Sequence, residues 1–344
     1  MLQKAPFHKG FLALALIAVV AVFFGTYSPL GVMSATPKFW RDEAIPFEIS
    51  RTFLELGKLD VVVAPNEVDG RPFLTHATGF TVTAPLALFM KLFVFCVFEA
   101  RVFMLLWLVV AVCTLFFVIK SFFGLRAAFF GALLVSTFAP FYANGRTVTG
   151  EVPGFFFLII ALWFLYQRER YAASGFFFAL AAVTKPSVFL LIIPALFLEF
   201  LFFQQGAFFK KGLRVALGAA PVFLFWIWII LPTPLSLESW QAMLDLYRHP
   251  FNEPSLWSRF PGAAWELASH STFLYVGFLT LLLLVAFFRD SFSKTEKRLI
   301  AFVLFYGIAS AIYFLRSPGW LRYLLVYELL LLSLVPVTLF RISR

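Results

Sequence analysis

The chain has 344 residues, of which 62% are hydrophobic and only 13% are charged, and its mean hydropathy is +0.90. This composition excludes an ordinary soluble domain, because runs of about 20 apolar residues have the length that a bilayer requires. The net charge of +10 would suggest a nucleic-acid partner in a soluble protein. Here the basic residues flank apolar segments, which fits membrane topology and anionic headgroups instead, so no nucleic acid is predicted.

The predicted fold is an all-α polytopic membrane protein, since helices satisfy their own backbone groups in lipid. A single integral-membrane domain covers 1–344. Its two cysteines, Cys96 and Cys113, lie in apolar stretches, which excludes a disulfide framework and a CxxC metal site. The first apolar run follows Lys4 and Lys9 and lacks a good cleavage signal, so we interpret it as an uncleaved signal anchor.

Loop charges decide how the apolar segments cross the membrane. One set of loops is rich in Lys and Arg and should be cytoplasmic, which requires segment 79–98 to remain on the outer side as an interfacial or re-entrant segment. Ten crossings, with both termini cytoplasmic, are therefore favoured over eleven. The segments lie near 11–32, 79–98, 101–119, 126–143, 151–167, 171–184, 186–204, 213–232, 272–288, 297–315 and 319–340.

This topology places two large loops outside, 33–78 and 233–271, together with most of the acidic residues. Within the first loop, residues 45–58 have helical periodicity, with Ile49 on the apolar side and Thr52 on the polar side. We predict a juxtamembrane amphipathic helix along the membrane surface. It would hold the residues just before it against the helix bundle.

Asp42 and Glu43 stand directly before that predicted helix. They are either solvated loop charges, or acids that favour a helix start, or a catalytic pair in which one acts as a general base while the other positions it. A metal ligand is the less favoured reading. No metal site is assigned, and a divalent metal has no support from any cluster of residues.

Lys185 follows an apolar segment of about 14 residues, which reaches only roughly 21 Å as a helix. Its ammonium would therefore lie below the membrane surface, where it either snorkels to the headgroups or holds the phosphate of a lipid. Arg146 and Glu151 flank the turn before another helix, where helix capping is the alternative for Glu151.

The last apolar segment begins with Arg322 and Tyr323, which fit either an interfacial belt or a ligand cavity. Glu328 lies deeper and needs a partner that the sequence does not identify. Arg71 and His76, before segment 79–98, are weaker candidates, and one histidine is not a metal site. Together these acids and cations predict a wet outer recess suited to one lipid-phosphate substrate.

These residues carry a resemblance to the GT-C superfamily of membrane glycosyltransferases. The chain is most similar to bacterial relatives of the protein O-mannosyltransferases (glycosyltransferase family 39) and of the lipid A aminoarabinose transferase. The matching motifs are Asp42-Glu43-Ala44, the stretch 49–57, Thr78-Gly79-Phe80, Ala100-Arg101, 149–153, 181–186 and Trp320-Leu321-Arg322-Tyr323.

The resemblance implies transfer of a sugar from a polyprenyl-phosphate donor, outside the cytoplasm and with inversion, in a bacterial plasma membrane. It implies Asp42 as the base with Glu43 in support, Lys185 and Arg322 as contacts of the donor phosphate, and Arg146 and Glu151 in the same cavity. The family's Lys-Pro-Pro element is missing, and Arg71-Pro72-Phe73 stands near its place. A transporter of a lipid-linked sugar and an inactive scaffold remain as alternatives.

Overall fold

The computed structural model describes residues 16–18, 20–22, 25, 33, 38–233, 236–248, 258–289 and 292–343. Most of the predicted anchor over 11–32 falls outside the described residues, and so does the middle of loop 233–271. The described part is almost entirely helical, apart from one small antiparallel hairpin in the first loop.

The elements follow one another along the chain in this order: α1 (Arg41–Leu56), β1 (Val62–Ala64), β2 (Glu67–Val68), α2 (Pro72–Thr75), α3 (Phe80–Leu92), α4 (Val97–Phe123), α5 (Leu125–Ser136), α6 (Ala139–Gly145), α7 (Glu151–Tyr166), α8 (Tyr171–Thr184), α9 (Pro186–Phe189), α10 (Ile192–Phe203), α11 (Phe208–Ile230), α12 (Leu237–Arg248), α13 (Phe260–Ser269), α14 (Ser271–Phe288), α15 (Lys294–Arg316) and α16 (Leu325–Ile342). Short 3₁₀ turns lie at Gln205–Ala207 and Leu321–Tyr323.

In the described part of the chain, six helical segments are long and apolar enough to cross a membrane: α4, α9 with α10, α11, α14, α15 and α16. A seventh span results if α5 and α6 are counted together. The helices α3, α7 and α8 are apolar but shorter. The polytopic all-α architecture is therefore confirmed, while the expected ten to eleven crossings also counted α7, α8 and the segment outside the described residues.

Two predicted segments look different in the structure. Residues 126–143 form a bent pair, α5 and α6, with an angle of 61° between them; Pro140, in the first turn of α6, suits a new helix start there. Segment 79–98 contains only the 13-residue helix α3 before the chain turns into α4. A helix of that length reaches roughly 20 Å, less than the hydrocarbon core, and the interfacial or re-entrant position of this segment stays a prediction.

The juxtamembrane helix exists, but its predicted bounds of 45–58 were wrong. Helix α1 begins four residues earlier, at Arg41, and ends before Gly57, which has a positive φ of 69°. It packs against α3, where the Ser50 hydroxyl donates to the carbonyl oxygen of Thr83 at 3.0 Å. Thr52, expected on the polar side, is buried. The other polar residues of this side form ion pairs with one another, because Arg51 contacts both Glu48 and Glu55.

Candidate active site

Asp42 and Glu43 lie in the first turn of α1, and not on the irregular loop that the sequence suggested. Consecutive residues of an α-helix point about 100° apart, so the two carboxylates face different neighbours. Acidic side chains at this end are also favoured by the helix dipole. The helix therefore separates the adjacent acids into two different environments.

Glu43 forms a fully buried pair with Arg101 near the start of α4. Arg101 Nε donates to Glu43 Oε1 at 2.8 Å and Nη2 donates to Oε2 at 2.7 Å, and both side chains are 0% exposed. Arg101 also donates to the carbonyl oxygen of Met33. A bidentate pair of this kind fixes direction as well as distance. It ties the first turn of α1 to the helix bundle.

Asp42 is more accessible and pairs with Arg322, 280 positions along the chain. Arg322 Nη1 donates to Asp42 Oδ2 at 2.6 Å, and the side chains are 13% and 31% exposed. The guanidinium lies 4.5 Å from the ring centre of Trp320 and 5.2 Å from that of Trp40. Such ring faces attract a cation, so Arg322 is oriented by aromatic side chains as well as by Asp42.

Lys185 and Glu151 form a looser buried pair beside this one. Their Nζ and Oε1 atoms are 3.9 Å apart, and the side chains are 5% and 1% exposed. The burial of Lys185 argues against snorkelling. Neither carboxylate oxygen of Glu151 accepts a hydrogen bond from any residue that the structure describes. At this distance the ammonium and the carboxylate attract each other without a direct hydrogen bond, so the Glu151 oxygens keep hydrogen-bonding capacity for another polar group.

Two glycines let the surrounding segments converge on the turn at Lys185. A Cβ on Gly79 would lie 1.8 Å from the carbonyl oxygen of Val183, and one on Gly150 would lie 2.3 Å from that of Thr184. Gly79 N–H instead donates to Thr184 at 3.0 Å. The motifs around 78–80 and 149–151 thus bring α3 and α7 against the same turn.

The two ion pairs belong to one electrostatic site. Burial disfavours the charged guanidinium of Arg322, but the charges of Glu151 and Asp42 outweigh burial and raise its pKa. Burial raises the pKa of the neighbouring Tyr323 hydroxyl, and the charge of Arg322 opposes that shift. Asp42, Glu151, Lys185, Arg322 and Tyr323, all predicted from the sequence, are therefore brought together.

An apolar cavity of about 360 Å³ lies between α8, α10 and α11. Its lining includes Ala182, three residues before Lys185, and Phe189, four residues after it. The cavity therefore includes residues within about one helical turn of Lys185 along the chain, although Lys185 itself does not line it. From there its lining follows α11 towards Phe208, at the opposite end of that helix.

The other predicted residues have looser links to this group. Arg146 ends α6 near Arg101; burial and the charge of Arg101 lower its pKa. Arg71 pairs with Asp69 at 2.8 Å on an exposed surface. His76 is buried, with Nε2 2.7 Å from the carbonyl oxygen of Leu59. Glu328 is buried in the first turn of α16, where its Oε1 has no hydrogen-bond partner among the described residues.

Three residues near the site were not among the predicted site residues: Arg101, Trp40 and Trp320. Arg101 is a lone cation entering a long apolar run, and such a residue needs a buried partner, which was the available signal. Trp320 belongs to the helix end that also fitted an interfacial belt, and no sequence pattern marked Trp40. Among the described residues, no group of three His, Cys, Asp or Glu side chains is placed to hold a metal ion.

Comparisons with known proteins agree with this architecture. A family model described as dolichyl-phosphate-mannose-protein mannosyltransferase matches residues 79–230, from the start of α3 to the end of α11. No curated protein sequence matches the chain.

Three solved structures are similar over nearly the whole chain. ArnT from Cupriavidus metallidurans bound to undecaprenyl phosphate has a TM-score of 0.67 at 17% identity, covering 97% of this chain and 61% of ArnT. Its apo state has a TM-score of 0.62 at 17% identity, with coverages of 97% and 60%. The oligosaccharyltransferase of Archaeoglobus fulgidus has a TM-score of 0.56 at 14% identity, with coverages of 98% and 51%.

The chain thus spans about three fifths of the length of ArnT. These similarities concern the arrangement of the helices, since the identities are low. The resemblance predicted from the sequence is confirmed: the chain is an integral membrane protein with the GT-C fold.

Proposed function

We propose that the protein is a glycosyltransferase that moves a sugar from a polyprenyl-phosphate donor to a hydroxyl acceptor on the non-cytoplasmic face of a bacterial plasma membrane. The observation that carries this proposal is the meeting of Asp42, Arg322 and the buried Lys185 in one charged site, together with an apolar cavity whose lining includes residues that flank Lys185 in the chain. Anion-binding groups next to a lipid-sized apolar space suit a lipid phosphate.

The chemistry follows from the charges. The acceptor oxygen attacks the anomeric carbon, and its proton passes to the Asp42 carboxylate. The bond between that carbon and the phosphate oxygen breaks, and the phosphate leaves with the electron pair. Lys185 and Arg322 would stabilise the negative charge that grows on the phosphate. A single displacement from the opposite side inverts the anomeric carbon.

Arg322 connects donor binding to the base. Without donor, the Arg322 guanidinium donates to Asp42 Oδ2 at 2.6 Å, so this carboxylate oxygen is engaged with Arg322 and not with an acceptor hydroxyl. A donor phosphate would compete for the same guanidinium and loosen its hold on Asp42. The base would therefore become available when the leaving group is in place.

The apolar cavity would take the first part of the polyprenyl chain. Its lining is almost wholly hydrophobic and includes Ala182 and Phe189, which flank Lys185 in the chain, so the polyprenyl chain would be buried while its phosphate contacts the ammonium. ArnT has been crystallised with undecaprenyl phosphate, which supports a donor of this class. The sugar and the acceptor are left open.

Other residues take supporting roles in this proposal. Glu43 and Arg101 would orient the first turn of α1, while Glu151 and Tyr323 would position Lys185 and Arg322. Arg146 and Arg71 stay predicted phosphate contacts, and His76 and Glu328 stay predicted cavity residues. The basic loops at the far ends of the helices support cytoplasmic termini and an outer site.

The proposal is tested by measuring sugar transfer from a polyprenyl-phosphate donor by the purified protein reconstituted into membranes. We expect Asp42→Asn to lower the release of polyprenyl phosphate from the donor by about 100- to 10,000-fold, with expression and thermal unfolding unchanged. Glu55→Gln is the matched control, because Glu55 is an exposed carboxylate on the same helix. Full transfer by Asp42→Asn would reject the base, and transport without bond cleavage in the wild type would favour a transporter.

A second variant tests the phosphate contact. We expect Lys185→Ala to raise the apparent KM for the donor more than the KM for the acceptor, because only the donor carries a phosphate. Lys58→Ala, which removes an exposed lysine in the loop after α1, is the control. An unchanged donor KM would count against the phosphate role of Lys185.

A further inference from the structure

A second cavity lies at the opposite end of the helices from the candidate active site. Its volume is about 600 Å³, and it is lined by Phe123, Arg126, Ala127, Val337, Phe340, Arg341 and Ser343. Along α4, Phe123 is 22 positions after Arg101, roughly 33 Å of helix. The cavity therefore faces the other leaflet and has no part in the proposed transfer site.

Arg126 makes this cavity positive. It is exposed, and it has no ion-pair partner among the residues that the structure describes. It stands in the first turn of α5, where the helix dipole disfavours a cation. The Gly124 position before this turn supplies no capping side chain. An unpaired cation at a positive helix end favours a bound anion.

Arg341 adds a second guanidinium from the last turn of α16. Its Nη2 lies 3.4 Å from Glu296 Oε1, but the other oxygen of that carboxylate accepts the Ser293 N–H at 2.6 Å. Glu296 thus serves a helix cap as well as Arg341. Nearby, Arg289 donates to the carbonyl oxygen of Ile342 at 2.9 Å. Positive charge therefore exceeds negative charge around the end of α16.

Apart from Ser343, the rest of the lining is apolar. Phe123, Val337 and Phe340 line the same cavity, and Phe340 is 43% exposed on a helix that spans the membrane. A free inorganic anion would gain nothing from these side chains. A phospholipid would place its headgroup phosphate between the two guanidinium groups and an acyl chain against the phenylalanines.

We propose that this cavity binds an anionic phospholipid of the leaflet opposite the active site. This class of ligand follows from two guanidinium groups and an apolar wall lining the same cavity. By occupying the cavity, the lipid would join the start of α5 to the end of α16. This inference does not depend on the transferase activity.

The test measures, by native mass spectrometry, how well the intact protein in detergent retains different phospholipids. We expect retention of phosphatidylglycerol over phosphatidylcholine, and a loss of phosphatidylglycerol affinity of about five-fold in Arg126→Gln, because one cation near a headgroup contributes about that much. Lys120→Gln is the matched control: it removes the same charge one turn from Phe123 but does not line the cavity. Thermal unfolding without added lipid checks that both variants are folded.

Three outcomes would overturn the proposal. Equal retention of the two lipids would remove the anionic preference. Equal losses in Arg126→Gln and Lys120→Gln would indicate general surface attraction. Displacement of phosphatidylglycerol by millimolar inorganic phosphate would indicate a free-anion site with no role for the apolar wall.

Discussion

Two ion pairs start from adjacent residues of α1 and differ in almost every physical respect. Glu43 and Arg101 are both 0% exposed and share two hydrogen bonds. The Asp42 side chain is 31% exposed and accepts one hydrogen bond from Arg322. One pair is sealed inside the bundle, whereas the other lies where a substrate can reach it.

The difference separates architecture from chemistry. A buried bidentate pair resists exchange, because removing either partner strands a charge in a medium of low polarity. An accessible pair can exchange its partner for a ligand at little loss, since water and the ligand both solvate the freed group. We infer that the first pair holds α1 in place and that the second is the part of the site that changes during turnover.

The largest effect on stability should come from the sealed pair. We expect Arg101→Leu to lower the free energy of unfolding by about 3–5 kcal/mol, because Glu43 is left buried and alone. Guanidinium or thermal unfolding in detergent measures the loss. The double variant with Glu43→Leu should recover part of it, because no single buried charge remains.

Arg51→Leu provides the contrast, since it breaks the exposed pairs with Glu48 and Glu55. Its expected loss is at most about 1 kcal/mol. A similar loss in Arg51→Leu and Arg101→Leu would mean that burial does not distinguish the two kinds of pair.

A smaller effect should come from the rings around Arg322. We expect Trp320→Leu to weaken donor binding by about 0.5–2 kcal/mol, because the guanidinium loses a ring face 4.5 Å away. Trp320→Phe, which keeps an aromatic face, should retain most of the affinity. The apparent KM for the donor is the measurement, with kcat expected to change less. Equal defects in both variants would assign Trp320 a packing role only.

The smallest effect should be a pH dependence from His76. Burial lowers the pKa of this ring below its usual 6.5, although the hydrogen bond to Leu59 opposes the shift. The folded state therefore takes up a proton on His76 only at a lower pH than the unfolded state does. Its contribution to stability is complete above pH 6.5 and declines as the pH falls below that value. In unfolding scans, His76→Gln should have a shallower acid slope; an identical slope would contradict the assignment.

The site was predictable where a charged residue interrupts an apolar pattern. Lys185, Glu151 and Arg322 each stand at the end of a hydrophobic segment, and a charge there needs an explanation. The pairing of the site residues could not be predicted from the sequence, because Asp42 and Arg322 are 280 positions apart and Arg101 and Glu43 are 58 positions apart. Such pairs are decided by packing and leave no local pattern.

The predicted helix boundaries were wrong where tertiary contacts override the local conformational preference of the sequence. Pro46 normally favours the beginning of a helix, yet α1 starts at Arg41. We infer that the buried pair of Glu43 with Arg101 holds the turn before Pro46 in helical conformation. The boundary between α5 and α6 was also missed, because hydropathy alone predicts one continuous segment there. The bend follows from Pro140.

The most direct test of the proposed mechanism is the affinity for polyprenyl phosphate itself. If Asp42 and the phosphate compete for Arg322, Asp42→Asn should bind the lipid about five-fold more tightly than the wild type, since an exposed pair contributes up to about 1 kcal/mol. Lys185→Ala should bind it more weakly, and Glu55→Gln should be unchanged. Unchanged or weaker binding by Asp42→Asn would contradict the competition on which the mechanism depends.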